Sequence, residues 1–404
     1  MDKALDSESP FQLRRAVERL REGLFDPLAV RLLTAREDRL NQVVDAGFRA
    51  LGAGGASHLC LCGAYGQGKS HTLTYIQDRA LEAGFATSLI NLDPRELPFH
   101  DFRRVYRALL AQLRLPGGEP SLLARWRTWV EPQLNAEGRV PAASLPAELP
   151  HLFRAVLTGV AQPTMSLSAS QRQTKGHRWY RPRAFPHLLS RALLGEVVPA
   201  RPLSHALKYR QVDFFKDAPL RCAGTEPYLQ MVRGLGHLLG QLGCRGWVLL
   251  FDEGESIAQA RVSARSRSYQ LLDRLCFPEA PVRGLFPVFA FTGDFFRQVD
   301  AEDYRRVQVR DEQEIPYFAK DYAASWKKLT RYELQDLSPQ EWKVLGDKLL
   351  RLHARAYQWQ PPEATLRQAL ANRLTQTQGQ ETRYRLKALI DELDLAQQGS
   401  APRG

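Results

Sequence analysis

No apolar run in the chain comes near the ~20 residues that a bilayer span needs. The opening stretch Met1-Asp2-Lys3-Ala4-Leu5-Asp6-Ser7-Glu8 is acidic and lacks the apolar core of a secretory signal. Neither a membrane span nor a secretory signal is expected. Methionine is scarce at three residues, and cysteine is limited to five: Cys60, Cys62, Cys222, Cys244 and Cys276. That odd number, without metal-ligand spacing, sets aside a disulfide-stapled secreted domain and a cysteine metal centre. Cys60-x-Cys62 stands inside an apolar run and reads as buried thiols in a reducing cytosol. No internal repeat is visible. With 404 residues, 44% hydrophobic and 25% charged, the chain is neither collagen-like nor wholly disordered, and it allows two or three domains around a large core.

What it has in excess is positive charge, +12 at neutral pH, unevenly placed. Between Leu149 and Val212, ten basic residues (Arg154, Arg172, Lys175, Arg178, Arg181, Arg183, Arg191, Arg201, Lys208 and Arg210) face the single acid Glu196. Most of the excess therefore lies in one stretch, and an anionic partner is to be sought there first. The alternative is a solvated face whose charge only aids solubility.

Periodicity gives the outline. Leu13, Val17, Leu20 and Leu24 mark an amphipathic helix over residues 10–24, and a second helix is expected from Arg36 to Leu51. Gly52-Ala53-Gly54-Gly55 breaks the chain. Ser57–Cys62 then reads as a buried strand, Lys69 to Ala83 as a helix and Ala86–Leu92 as a strand stopped by Asp93-Pro94: a βαβ unit. Trp247–Phe251 and Leu285–Phe291 read as further buried strands, with Pro287 making the ends of the second hard to place. Residues 116–220, rich in proline and basic side chains, look like a large, partly helical insertion. From Ser338 the pattern is helical up to a frayed tail.

The strongest chemical signal is Gly63-Ala64-Tyr65-Gly66-Gln67-Gly68-Lys69-Ser70, which fits the phosphate-binding loop G-x-x-x-x-G-K-[ST]. Its glycines let backbone N–H groups wrap phosphates, and the following helix aims its positive end at them. Lys69 is expected to reach the β- and γ-phosphates and Ser70 to ligate Mg²⁺, with His71 next in the helix. The pattern lies between a buried strand and a helix, as a nucleoside-triphosphate site requires.

Trp247-Val248-Leu249-Leu250-Phe251-Asp252-Glu253 is the second signal, a buried strand ending in two acids. Asp252 would hold Mg²⁺ and Glu253 would polarise an attacking water, which favours hydrolysis over phosphotransfer. Glu255 either assists or is a solvated carboxylate. Thr292, after the next strand, sits where a residue sensing the γ-phosphate belongs, and is equally an ordinary helix cap. Arg297, Arg305, Arg306 and Arg310 follow; no spacing selects a finger arginine among them.

This order, phosphate loop, Asp-Glu strand, polar sensor strand, resembles the AAA+ class of ATPases. The resemblance implies that the C-terminal helices form a lid, and that Thr382–Asp394 is the lid helix starting at the sensor-2 arginine, Arg383, which would face the nucleotide. Leu386, Leu389, Ile390 and Leu393 would pack inward at helical spacing. Thr382 stands where that class often has proline. A closer resemblance rests on Leu20–Gly23, Ala29–Glu37, Gly63–Ser70, Ala192–Glu196, Gly243–Gly246 and Phe251–Glu255. These look like the ATP-binding proteins of bacterial BREX-type phage-defence clusters (the BrxD-like family), with Gly66-Gln67-Gly68 in place of Gly-Ser-Gly. The family implies a cytoplasmic AAA+-like ATPase, distantly like origin-recognition and helicase-loader ATPases, with relatives typically encoded beside helicases in defence or DNA-processing clusters. ATP and Mg²⁺ are the cofactors expected from the motifs, and a helicase or nuclease partner and a homo-oligomer are expected beside them.

The expected organisation is an N-terminal helical segment (1–45), a first half of the core (46–117), the basic insertion (118–220), a second half of the core (221–335), a helical lid (336–398) and a tail (399–404). Within the insertion, Arg172, Lys175, Arg178, Trp179, Arg181 and Arg183 interleave cations with an aromatic ring. They suit DNA binding without sequence preference, since nothing among them reads base edges. Five phosphate contacts would give a log–log salt slope of roughly −4 to −5 on duplex DNA. Three functions are thus open: a DNA-coupled ATPase, a nucleotide-dependent switch or loader for a protein partner, and a scaffold that holds nucleotide structurally.

Overall fold

The computed structural model describes residues 5, 8–24, 26–34, 37–53, 55–118, 121–163, 185–279 and 284–400. Its centre is a six-stranded sheet made of β1 (Leu59–Cys62), β2 (Ala86–Asn91), β3 (Leu113–Arg114), β4 (Trp247–Asp252), β5 (Leu285–Phe291) and β8 (Arg331–Glu333), in the order β3-β2-β4-β5-β1-β8. All neighbours are parallel except the edge pair β2–β3. β1, β4 and β5 are continuous apolar runs because both faces of a parallel sheet are covered. Pro287 is accommodated inside β5 because it has a neighbour on one side only: it pairs with Leu249 of β4, and the ladder to β1 begins one residue later at Val288.

Alternation along the strands divides the core in two. Leu59, Leu61, Val248, Leu250, Val288 and Ala290 face one layer, where α3 (Glu37–Gly52) and α4 (Lys69–Glu82) bring Val44, Phe48, Leu73 and Ile76. α3 lies so close that a Cβ on Gly47 would stand 2.4 Å from the Phe286 ring, so glycine is required there. Cys60, Cys62, Ile90, Leu249, Phe251 and Phe289 face the other layer. There α5 (Phe102–Ala111), α10 (Glu226–Gln241) and α11 (Val262–Cys276) pack, and α6 (Leu122–Val130), α7 (His151–Ala161), α8 (Phe185–Leu193) and α9 (Ala200–Tyr209) join the same cluster. The inserted helices therefore share the core of the sheet. All five cysteines are free, and Cys60 and Cys62 are buried, which pushes both thiols up.

A third cluster joins the two ends of the chain. α1 (Pro10–Arg21) and α2 (Pro27–Leu33) pack Leu13, Val17 and Leu32 against Leu349, Leu389 and Leu393 of α14 (Pro339–Tyr357) and α16 (Thr382–Ser400), with α15 (Glu363–Gln376) alongside. Leu389, Ile390 and Leu393 are fully buried and Leu386 partly so, the inward stripe expected of the lid helix. α1 carries a capping box at Ser9–Gln12 and α14 one at Ser338–Glu341, which fixes where both helices begin. α3 runs through position 45. Between β5 and β8 lie α12 (Gly293–Asp300), the antiparallel hairpin β6 (Val307–Arg310) and β7 (Gln313–Pro316), and the short α13 (Tyr322–Ser325). Among the described residues, no helix is long and apolar enough to cross a membrane.

Candidate nucleotide site

β1 leads away from its own neighbours to β2, three places along the sheet beyond β5 and β4, while β8 flanks it on the other side. The C-terminal end of β1 is therefore a topological switch point, where open α/β sheets leave a crevice. The loop Gly63–Ser70 occupies it. Gly66 and Gly68 take φ values of +81° and +87°, a left-handed backbone that glycine adopts without a Cβ penalty, and Gly68 is the N-cap of α4. Gly63 N–H donates to Phe291 O at 3.1 Å and Leu334 N–H to Cys62 O at 2.7 Å, so β5 and β8 clamp the start of the loop. Lys69, 8% exposed, donates from Nζ to the carbonyls of Gly63 and Ala64, both at 3.2 Å. Gln67, the departure from serine, accepts from Ala64 N–H at 2.7 Å and donates to Asp336 Oδ1 at 3.1 Å, tying the loop to the segment that enters the lid.

The loop opens into a cavity of about 280 Å³. Leu20, Val30 and Leu33 line it from α1 and α2, and Leu345 and Leu386 from the lid. Lys69, Ser70, His71, Glu253 and Arg383 also line it, whereas Gly63, Ala64, Asp252 and Thr292 do not. The wall from α2 was not expected as part of the site. Seven residues are too few to show a helical period, and the only local signal is Asp26-Pro27, where buried Asp26 caps α2 by accepting from Leu28 and Ala29 N–H. Thr34, which ends α2, donates from Oγ1 to Val30 O at 2.7 Å and lies 2.9 Å from His71 Nε2. Because the hydroxyl proton is already used, the ring donates, and burial lowers the His71 pKa to about 4. Lys348 of the lid donates to Thr34 O at 2.6 Å. N-terminal helix, loop helix and lid thus meet at one threonine.

On the lid, α16 begins at Thr382 and sets the Arg383 guanidinium 5.7 Å from the centroid of the exposed Tyr65 ring. Across the loop, β4 delivers Asp252, half-buried, whose Oδ1 accepts from Glu253 N–H at 2.9 Å. Glu253 is exposed and takes φ +55°, which turns the chain sharply into a 3₁₀ turn over Gly254–Gln259. Glu255 points back inward. Half-buried, with Oε2 lacking any hydrogen-bond partner, its carboxyl is raised above the usual range chiefly by burial; the nearby Lys69 charge and Thr292 N–H act the other way. It is not a solvated carboxylate. Thr292 is the N-cap of α12 by position, but its side chain makes no capping bond. Stacked rings hold that corner: Phe251 on Phe289 at 4.4 Å and Phe291 on Phe295 at 4.2 Å between centroids. Of the candidate finger arginines, Arg297 pairs with Asp294 and Arg306 lies over Tyr317. Arg172, Lys175, Arg178, Trp179, Arg181 and Arg183 lie outside the described residues.

A phosphate loop at the switch point, an acidic strand end one strand removed across β5, and a helical lid define a P-loop nucleotide-binding protein of AAA+-like build. The chain matches the family model for the BREX system ATP-binding proteins BrxC/D over residues 11–171 and 222–402, and it belongs to that family. Its business is therefore ATP binding in phage defence. Among solved structures it is similar to the Walker-type ATPase of Pyrococcus abyssi, with 10% identity, a TM-score of 0.39, and coverage of 91% of this chain and 77% of that one. No curated protein matches it.

Proposed function

We propose that the protein hydrolyses ATP at the Gly63–Ser70 loop and couples that reaction to DNA in a defence complex. The observation that carries this reading is the meeting of Lys69, Glu253 and Arg383 on one cavity, drawn from the loop helix, the end of β4 and the lid. Lys69 already holds the loop carbonyls and would exchange them for the β- and γ-phosphate oxygens, its charge countering theirs. Glu253, exposed on its sharp turn, would take a proton from the attacking water, and Arg383 would hold the lid against the nucleotide. Mg²⁺ fits the donors present. Ser70 and Asp252 offer hard oxygens, Glu255 Oε2 is an orphan buried oxygen, and the described residues contain no cluster of three His, Cys, Asp or Glu able to hold a metal alone. That suits an ion carried in by phosphates and completed by one or two protein oxygens. When bound it supplies charge neutralisation on the phosphates.

DNA contact, without sequence preference, is assigned to the cationic run Arg172–Arg183, and the partner to a helicase or nuclease. A homo-oligomer in the cytoplasm is the setting in which a neighbour's arginine would complete the site. ATP turnover by the purified protein, with and without single- and double-stranded DNA, tests the reading beside Lys69→Ala and Glu253→Gln. Turnover that rises with DNA and is lost in both variants supports it. Tight ATP binding with negligible turnover under every condition overturns it in favour of a nucleotide-dependent switch for a protein partner.

A further inference from the structure

A second cavity, of about 570 Å³, opens between the start of α5, the turn after α8, the 220–225 segment and α11, and shares no residue with the nucleotide site. Its size is that of a small-ligand pocket. Four basic side chains line it, His100, Arg103, Arg221 and Arg267, against two acids, Asp101 and Glu196. Both acids are already engaged. Arg191 Nε donates to Glu196 at 2.6 Å, with Arg107 3.6 Å away, while Asp101 caps α5 and pairs with Arg104 at 3.1 Å.

Arg103, Arg221 and Arg267 have no carboxylate partner among the described residues. Arg103 stands against the Tyr228 hydroxyl, and Arg267 is close enough to His100 for its charge to add to burial in disfavouring the protonated ring. His100 Nδ1 is buried with no hydrogen-bond partner. Three guanidinium groups without a carboxylate partner line one hollow, and their planar forks match the oxygens of a phosphate ester in pairs. Apolar side chains complete part of the wall, among them buried Phe102 and Val197, 75% exposed. A ligand that satisfies both parts has a dianionic end and a body with a flat or apolar face.

We propose that this cavity is a second anion site that binds a phosphate monoester, separate from the phosphate loop. Its source is a free mononucleotide or the 5′-phosphate end of a nucleic-acid strand, the same chemistry in either case. Nothing in it depends on hydrolysis at the first site, so the two readings fail separately.

Binding is measured on the full-length chain carrying Lys69→Ala, which disables the phosphate loop. The probes are AMP, a 5′-phosphorylated trinucleotide and the same trinucleotide with a 5′-hydroxyl. Saturable binding of AMP or of the phosphorylated trinucleotide is expected, weakened at least tenfold by adding Arg103→Gln with Arg267→Gln. The hydroxyl form should bind at least tenfold more weakly than its phosphorylated counterpart. AMP the tighter ligand assigns the free nucleotide; the trinucleotide the tighter assigns a strand end. Arg221→Gln, a change at an exposed position, repeats the test should the double variant melt earlier than its parent. Absence of binding in the Lys69→Ala protein, or binding unchanged by the arginine substitutions, overturns the proposal.

Discussion

His353 Nε2 lies 2.9 Å from Asp394 Oδ1, and Trp359 Nε1 donates to the other ring nitrogen, Nδ1, at 3.0 Å. The ring is therefore neutral with its proton on Nε2, and both nitrogens are satisfied. Arg21, on α1, donates to both Asp394 oxygens at 3.0 and 2.8 Å, while Tyr357 donates to Glu18 at 2.5 Å. One carboxylate on the lid helix thus binds the N-terminal helix and the buried histidine together. Protonating His353 would set a second N–H against the Trp359 donor.

Acid should loosen this joint. Burial holds the His353 pKa below its ordinary 6.5; Arg21 acts the same way, while Asp394 and Glu18 oppose it. The unfolded chain then binds more protons than the folded one as pH falls below about 6.5, so the stabilisation present at neutral pH is lost on acidification. His58, His71 and His100 are lowered by burial as well, and contribute with the same sign. Thermal melts at pH 7.5 and 5.5 should show a lower Tm at 5.5. His353→Gln should shrink that difference without abolishing it, and an undiminished difference would sink the assignment.

Glu253 and Glu255 can be told apart kinetically. Glu253→Gln removes the carboxylate proposed to accept a proton, and turnover should fall by about 10²- to 10⁴-fold with ATP binding retained. Glu255→Gln removes a half-buried carboxyl held near Lys69 and Thr292 N–H, which bears on how the loop lysine and the Thr292 corner are placed. We expect a smaller loss, on the order of tenfold, because Glu255 acts through its neighbours. Turnover unchanged in Glu255→Gln would return that residue to a structural role.

The Tyr65–Arg383 contact predicts a ring-specific effect. A cation over an exposed ring stabilises by about 0.5–1 kcal/mol. Tyr65→Ala should therefore weaken ATP binding by roughly two- to fivefold, and Tyr65→Phe should leave it unchanged. Arg383→Ala should cost more than Tyr65→Ala, since it also removes the charge that faces the cavity. Equal losses in Tyr65→Phe and Tyr65→Ala would mean that the hydroxyl matters instead of the ring face.

How far the sequence alone carried this reading depended on whether a signal was local. β1, β4 and β5 are uninterrupted apolar runs, and the phosphate loop and Asp252-Glu253 follow from spacing, so all were legible. β8 was not: three residues long at the sheet edge, with only Tyr332 buried, it offers no apolar run. The β6–β7 hairpin shows no strand signal in the sequence, because its valines and isoleucine are exposed and face no core. The joint between α1 and α16 depends on Arg21 meeting Asp394, 373 positions away, which no local pattern records. The sharing of the sheet's core by α6–α9 was hidden for the same reason.

Gly254 offers the most demanding test of the acidic turn. A Cβ there would stand 2.6 Å from Phe291 Cε1 and 2.7 Å from Ala290 O, one a ring held in a stack and the other backbone, so neither can move aside cheaply. Gly254→Ala should destabilise the protein by about 1–3 kcal/mol through overpacking. Because Gly254 links Glu253 to Glu255, the same methyl should displace both carboxylates and depress turnover, while ATP binding survives on an untouched phosphate loop. Gly240→Ala is the matched control, since a Cβ there meets nothing within 4 Å and the site is helical. It should hold or raise stability by up to about 1 kcal/mol. Melting curves, nucleotide titration and turnover on both variants settle the matter. A Gly254→Ala protein as stable and active as the wild type would mean that the turn is looser than its packing requires.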